Sequence, residues 1–285
     1  MLGRSRFVSE AKVVESLTNA KNRELPAILN SSICRQFNLP LDTQLLNVTR
    51  AFTKGVGATQ CRPCILHLSN DHKIFLKLSP LNKRAGAEQR IADDNIKEAL
   101  GQDTSPFVLM NHSHYSQSEN GTTNEMLFFP FVPGNNLFIS LETKDNTLCF
   151  EAVGKALAQV HIDSMKHSGV FDAWLKSNGK LLAVLVHDDW QSTNIMITPE
   201  YEAKIIDTEG TRLSPENPYR NLVESWEMCS KDPQLMNAFV NGYVNAYPPE
   251  IQDKLKQSIV DHFILKFGIN VLDICQYQPV TSKHN

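Results

Sequence analysis

Hydrophobic and polar positions are arranged in three different ways along the chain. In residues 1–46 the pattern is helical: Val13, Val14 and Leu17 fall on one face after Ser9-Glu10, a helix-opening pair, and Pro26 and Pro40 punctuate the remainder of that stretch. From Leu46 the apolar residues come in short runs separated by polar turns, which predicts strands. Strands are expected over residues 46–52, 64–69 and 74–78, the last two split by the turn Asn70-Asp71-His72. A polar helix is expected over residues 83–100. Residues 107–110 and 125–132 read as two further strands around a polar loop at 113–123. This middle stretch is therefore a five-stranded antiparallel sheet with one helix. After Pro133-Gly134 helical periodicity returns: Val153, Leu157 and Val160 mark an amphipathic helix over residues 150–161. Residues 181–206 are mixed and short-stranded, and from Tyr219 onward nearly everything reads helical. The expected class is α+β in two lobes with a cleft between them. The parts are an N-terminal extension (1–46), a sheet-rich lobe (47–132) and a helical lobe (133–285).

Composition narrows the function classes. The 285 residues are 41% hydrophobic and 21% charged, enough apolar matter for a sizeable core. The 28 basic and 31 acidic residues leave a net charge of −3, so no general field steers the protein onto nucleic acid or an anionic membrane. No apolar run approaches the roughly 20 residues that span a bilayer, and residues 1–14 carry Arg4, Arg6 and Lys12 without the apolar stretch of a signal peptide. A cytoplasmic protein is expected. The six scattered cysteines then read as reduced thiols. Cys61-Arg62-Pro63-Cys64 has no second ligand pair for zinc and opens a strand, which does not suit a redox motif.

The candidate chemistry lies in His187-Asp188-Asp189-Trp190-Gln191-Ser192-Thr193-Asn194, which fits H-x-D-x-x-x-x-N. In such a loop the Asp accepts or orients the proton of an attacking hydroxyl, an Asn reaches a Mg²⁺ on nucleotide phosphates, and the His braces the loop from behind. Taken alone, the same residues also suit a polar turn between strands. The next segment, Lys204-Ile205-Ile206-Asp207, is an apolar strand ending in an acid, and Asp207 is a candidate second ligand for Mg²⁺. Upstream, Lys77 interrupts the apolar run Ile74-Phe75-Leu76-Lys77-Leu78. It either faces solvent at an edge or holds phosphates in the cleft, with Glu88 on the following helix as ion-pair partner. Asp93 and Asp94 compete for that role on the same helix. A glycine turn at Gly55, Gly57 and Ala58 would let backbone N–H groups approach phosphate oxygens, or is a plain hairpin turn.

These residues resemble the aminoglycoside phosphotransferase and choline kinase family, which shares the protein-kinase-like fold. The resemblance extends to Gly154-Lys155-Ala156-Leu157-Ala158-Gln159-Val160-His161, similar to the helix before that family's catalytic loop, and to residues 128–134, similar to its hinge strand. It covers about residues 47–230. It implies a bilobal kinase-like fold and transfer of the γ-phosphoryl of ATP or GTP to a hydroxyl of a small molecule. It further implies that Asp189 orients the acceptor hydroxyl, with His187 beside it, and that Asn194 and Asp207 hold Mg²⁺. Lys77 with Glu88 and the loop Gly55, Gly57, Ala58 would hold the phosphates. Main-chain groups of Phe129, Phe131 and Val132 would bind the base.

Three positions depart from the family pattern. Asp188 stands where the family has Gly, Thr208 follows the metal-binding Asp where an aromatic is usual, and Asn221 stands where a later Asp is often found. A protein acceptor, a nucleotide-binding module without turnover, and transfer of AMP remain open alternatives. The short span from Asp207 to the helix near Tyr219 has no A-P-E motif and little room for a long activation segment, which favours a small acceptor. Glu209, Glu216, Glu224 and Glu227 either line an acidic acceptor pocket or form a solvated face. Trp226 is a candidate wall of an amine cage, and Trp190 of the acceptor pocket. His112 and His114 form an H-x-H in the polar loop.

Overall fold

A computed structural model of the chain describes residues 33–51, 62–80, 85–101, 103–117, 123–176, 184–214, 219–229 and 232–267. It divides into two compact units, Met1–Ala87 with Leu109–Phe131, and Glu88–Val108 with Val132–Asn285.

The first unit is built on a five-stranded antiparallel sheet: β1 (Leu45–Arg50), β2 (Arg62–Leu68), β3 (Lys73–Pro80), β4 (His112–Gln117) and β5 (Thr123–Pro130), in the order β1-β2-β3-β5-β4. Strand alternation puts Cys64, Leu66, Ile74, Leu76, Met126 and Phe128 on one face, where they bury together. Ile33 and Cys34, at the single helical turn Cys34–Gln36, complete that core. The opposite face of β3 and β5 carries Phe75, Lys77 and Ser79 beside Phe129, Leu127 and Glu125.

The α+β class and the five-stranded sheet are those expected, but the fourth strand is not where hydrophobicity points. β4 is the polar segment His112–Gln117, expected as loop, and among the described residues it pairs only with β5. An edge strand needs one ladder partner and no apolar stripe, so hydrophobicity does not reveal it. Phe107, expected in a strand of this sheet, instead makes an isolated parallel bridge to Ile205, and the Val108 N–H donates to the Ile205 carbonyl at 2.9 Å.

The second unit holds most of helix α1 (Ala85–Leu100), then a short strand β6 (Asn135–Asn136) and the helices α2 (Leu137–Thr143), α3 (Asn146–His167) and α4 (Phe171–Lys176). Strands β7 (Val184–Val186), β8 (Ile195–Ile197), β9 (Ala203–Ile205) and β10 (Arg212–Ser214) come next, then helices α5 (Arg220–Met228), α6 (Pro233–Asn245) and α7 (Pro249–Phe267). β7 pairs with β10, and β8 lies between β6 and β9. Asp145 caps α3 by accepting from the Thr147 and Leu148 N–H groups at 2.9 and 3.3 Å, and Asp232 caps α6, whose first residue is Pro233. Among the described residues no helix is long and apolar enough to cross a membrane.

A polar chain threads the interface of α3 and α6. The Tyr247 hydroxyl donates to the Tyr243 oxygen at 2.9 Å, and the Tyr243 hydroxyl lies 2.7 Å from His161 Nδ1. With the Tyr243 proton directed to Nδ1, His161 is neutral, and burial lowers its pKa to about 3. In the unfolded chain the same imidazole titrates near 6.5. Between those values the unfolded state holds the extra proton, so stability is complete above about pH 6.5 and falls as pH drops toward 3. The expected contribution is about 1.4 kcal/mol per pH unit. Urea unfolding at pH 6.5 and 4.5 should show that extra slope in the wild type and not in His161→Gln; equal slopes would remove His161 from the account.

Candidate active site

The loop between β7 and β8 is braced through its histidine. His187 is 2% exposed. Its Nδ1 accepts the Asp189 N–H at 3.1 Å, and its Nε2 faces the Ile206 carbonyl at 3.4 Å. The first contact requires a bare Nδ1, so the proton sits on Nε2 and the ring is neutral. Burial lowers the His187 pKa and keeps it so, against the opposing pull of Asp207 and Asp189. One ring thus ties the start of the loop to the backbone that delivers Asp207.

Asp189 is exposed, and its Oδ2 accepts from Asn194 Nδ2 and Gln191 Nε2, both at 2.8 Å. Asn194 Nδ2 also donates to the Asp189 carbonyl at 3.0 Å, and the Asn194 carbonyl accepts the Ile206 N–H at 2.9 Å. Both amide protons of Asn194 are therefore spent on Asp189, which leaves its Oδ1 as the remaining polar group. Asp207 follows Ile206 with φ +58°, a left-handed backbone that a non-glycine residue adopts only when its surroundings hold it there.

The three departures noted in the sequence have physical reasons. Asp188 does not face solvent alone. Its oxygens take Arg220 Nη1 at 2.5 Å and Arg212 Nε at 3.1 Å, and Arg220 Nη2 donates to its carbonyl at 2.7 Å. Asn221 reads both sides of the His187 backbone: its Oδ1 accepts the N–H at 2.9 Å and its Nδ2 donates to the carbonyl at 2.8 Å. An aspartate would have no donor for that carbonyl. Thr208 is fully buried, and its hydroxyl donates to Asp93 Oδ1 at 2.8 Å. Gln89 donates to Asp93 Oδ1 at 2.7 Å and also to the Thr208 hydroxyl.

Gln89 is the residue that sequence reasoning missed, and Asp93, weighed there only as an alternative to Glu88, bonds Thr208. Gln89 and Asp93 lie on the buried stripe of α1 with Gly86, Ala92 and Ile96, whereas Glu88 is exposed. Polar residues at the apolar spacing of a helix were the available signal. In the first unit, Lys77 is half-buried on β3, directly opposite Leu127, and its Nζ stands 5.7 Å from the centre of the Phe129 ring. Glu125, 3% exposed, shares that face and accepts the Gly86 N–H at 3.0 Å. Phe129 belongs to the β5 ladder opposite Phe75, while Phe131 and Val132 lie past its last pair, Ile74 with Pro130. Gly55, Gly57, Ala58, Cys61 and Glu216 lie outside the described residues.

Several secondary candidates resolve as packing. Trp190 is buried, donates to Ser225 Oγ at 2.9 Å and meets His187 edge-on, so it supports the loop from within and is no pocket wall. Trp226 is buried and meets Phe263 edge-on, a core contact. Glu224 is engaged by Arg220 Nε at 2.9 Å and by Asn221 Nδ2 at 2.8 Å. Cys64 is a core thiol, and His112 packs near Phe128 on β4. Among the described residues no cluster of three or more His, Cys, Asp or Glu gathers as a metal site. Asn194 Oδ1 and the Asp207 carboxylate are oxygen donors of the kind that a hard cation takes beside water and phosphate.

No protein-family model and no curated protein matches the chain. Solved structures do. The macrolide 2'-phosphotransferase MphH from Brachybacterium faecium is similar over 88% of this chain and 97% of its own, at 14% identity and a TM-score of 0.46. The spectinomycin phosphotransferase APH(9)-Ia, solved with ADP and spectinomycin, is similar over 82% and 85%, at 16% identity and a TM-score of 0.43. An aminoglycoside phosphotransferase from Alicyclobacillus acidocaldarius is similar over 80% and 86%, at 14% identity and a TM-score of 0.43.

Proposed function

We propose that this chain is a phosphotransferase of the protein-kinase-like fold that moves the γ-phosphoryl group of ATP or GTP to a hydroxyl of a small molecule. The observation that carries the reading is the arrangement around His187. A neutral, buried imidazole bonds the Asp189 N–H and reaches the carbonyl just before Asp207, while Asn194 bonds both Asp189 and Ile206. A polar turn between strands requires none of this cross-bracing, whereas phosphoryl transfer gains from it, because positioning and charge neutralisation are most of what a protein contributes to that reaction.

In this reading Asp189 Oδ1 takes the hydroxyl proton of the acceptor while Oδ2 stays committed to Asn194 and Gln191. His187 holds the loop and exchanges no proton. Asn194 Oδ1 and Asp207 would hold Mg²⁺, which supplies charge neutralisation on the nucleotide phosphates. Lys77 holds phosphates, with Glu88 as its proposed partner, under the loop that carries Gly55, Gly57 and Ala58. Main-chain groups of Phe129, Phe131 and Val132 bind the base. A small acceptor suits the short path from Asp207 to α5, much of which is spent on the turn at 208–211 and on β10, paired to β7.

The test is direct. Purified protein with Mg²⁺ is expected to show saturable thermal stabilisation by ATP or GTP that EDTA reverses. Incubation with γ-labelled nucleotide and a metabolite extract should label small molecules. No stabilisation by any nucleotide would overturn the proposal, and labelling confined to protein would move the acceptor to a protein hydroxyl.

A further inference from the structure

We infer that Thr208 and Asp93 act as positioning residues, a buried latch that holds Asp207 to helix α1; the role given to Asp207 rests on the phosphotransferase reading above. Thr208, Gln89 and Asp93 are 0%, 0% and 2% exposed, so their polar groups have only one another and their immediate neighbours to satisfy them. Three of these groups close a ring: the Thr208 hydroxyl gives its proton to Asp93 Oδ1 at 2.8 Å, and Gln89 Nε2 donates to both, while Gln89 Oε1 has no hydrogen-bond partner among the described residues. The far end of the same turn is also fastened to α1. The Thr211 N–H bonds the Thr208 carbonyl at 3.0 Å, and Asn95 Nδ2 reaches the Thr211 carbonyl at 3.5 Å.

Asp207 therefore stands between two anchors. Upstream, Ile206 is fixed to Asn194 and His187; downstream, Thr208 is fixed to α1. A left-handed aspartate between fixed neighbours keeps its backbone only while both anchors hold. The latch makes the carboxylate's position a function of α1: a displacement of that helix pulls Thr208 and turns Asp207. An apolar side chain at 208 would fill the space without this bond, so the hydroxyl is the informative atom.

The test compares Thr208→Val, which keeps the shape and removes the hydroxyl, with Thr208→Ser, which keeps the hydroxyl. In the nucleotide-free protein, amide exchange of Thr211 is expected to rise about tenfold in Thr208→Val, the loss of about one buried hydrogen bond, and to stay near wild type in Thr208→Ser. The Mg²⁺ concentration giving half-maximal nucleotide stabilisation should rise by a similar factor in Thr208→Val alone. If Thr208→Val does not fold, Asp93→Asn carries the test, with a smaller rise of about threefold from the weaker acceptor. Wild-type exchange and wild-type Mg²⁺ dependence in the folded variant would overturn the latch. Absence of any Mg²⁺-dependent nucleotide binding in the wild type would overturn the phosphotransferase reading instead, and the exchange measurement would still decide the latch.

Discussion

Asp189→Asn is expected to bind nucleotide and Mg²⁺ as the wild type does and to transfer phosphate about 10²–10⁴-fold more slowly. The geometry gives the reason. Asp189 uses Oδ2 for its two structural bonds, from Asn194 and Gln191 at 2.8 Å. An amide can put its single oxygen in that place and keep both. Its NH₂ then occupies the position of Oδ1 and presents a donor where the acceptor hydroxyl needs a proton acceptor. The backbone bond from the Asp189 N–H to His187 does not involve the side chain, so the loop should keep its shape. Single-turnover transfer of labelled phosphate, with nucleotide affinity measured in parallel, checks both halves. Full activity would remove Asp189 from its role, and loss of nucleotide binding would show that its charge supports the fold or the metal rather than the acceptor.

The second large effect concerns the support beneath the site. Gly154→Ala and Gly242→Ala are each expected to cost about 3 kcal/mol of stability, a melting temperature lower by about 5 °C. α3 and α6 approach backbone to backbone at these residues. A Cβ on Gly154 would stand 2.0 Å from the Phe239 carbonyl oxygen and 2.8 Å from the Tyr243 nitrogen, and one on Gly242 would stand 2.1 Å from the Glu151 carbonyl oxygen. These are main-chain atoms, so no side chain can move aside and the helices must separate. Alanine would favour each helix by about 1 kcal/mol, which the collision exceeds. Gly169→Ala is the control: with φ +73° and nothing within 4 Å of its Cβ position, it should cost only about 1 kcal/mol of backbone strain. Thermal unfolding of the three variants separates the two causes, and equal losses would refute the packing argument.

The elements legible in the sequence are those whose signal is local. The helix expected over 150–161 lies within α3 (Asn146–His167), because Val153, Leu157 and Val160 bury on one side. β2 and β3 were readable because their buried residues alternate, and β5 because Met126 to Phe129 form a short continuous apolar run, all of it buried. β4 was not: its identity comes from pairing with β5, and its own residues are polar. The site divides in the same way. His187, Asp189, Asn194 and Asp207 could be named because loop spacing is a property of the chain, whereas Gln89 was hidden beside the more conspicuous Glu88 and Asp93 was legible only as an alternative to it.

The helices, the strands with an apolar stripe or run, the loop and the acid after its strand were thus determined by the order of residues, because hydrophobic period and short-range spacing act over a few positions. Which polar side chains meet was decided only in the folded molecule. Asp188 is neutralised by Arg212 and Arg220, Asn221 reads the His187 peptide, and Thr208 bonds a helix more than a hundred positions earlier in the chain. A buried polar group must find its partner wherever packing puts one, and nothing in the local sequence specifies where that is.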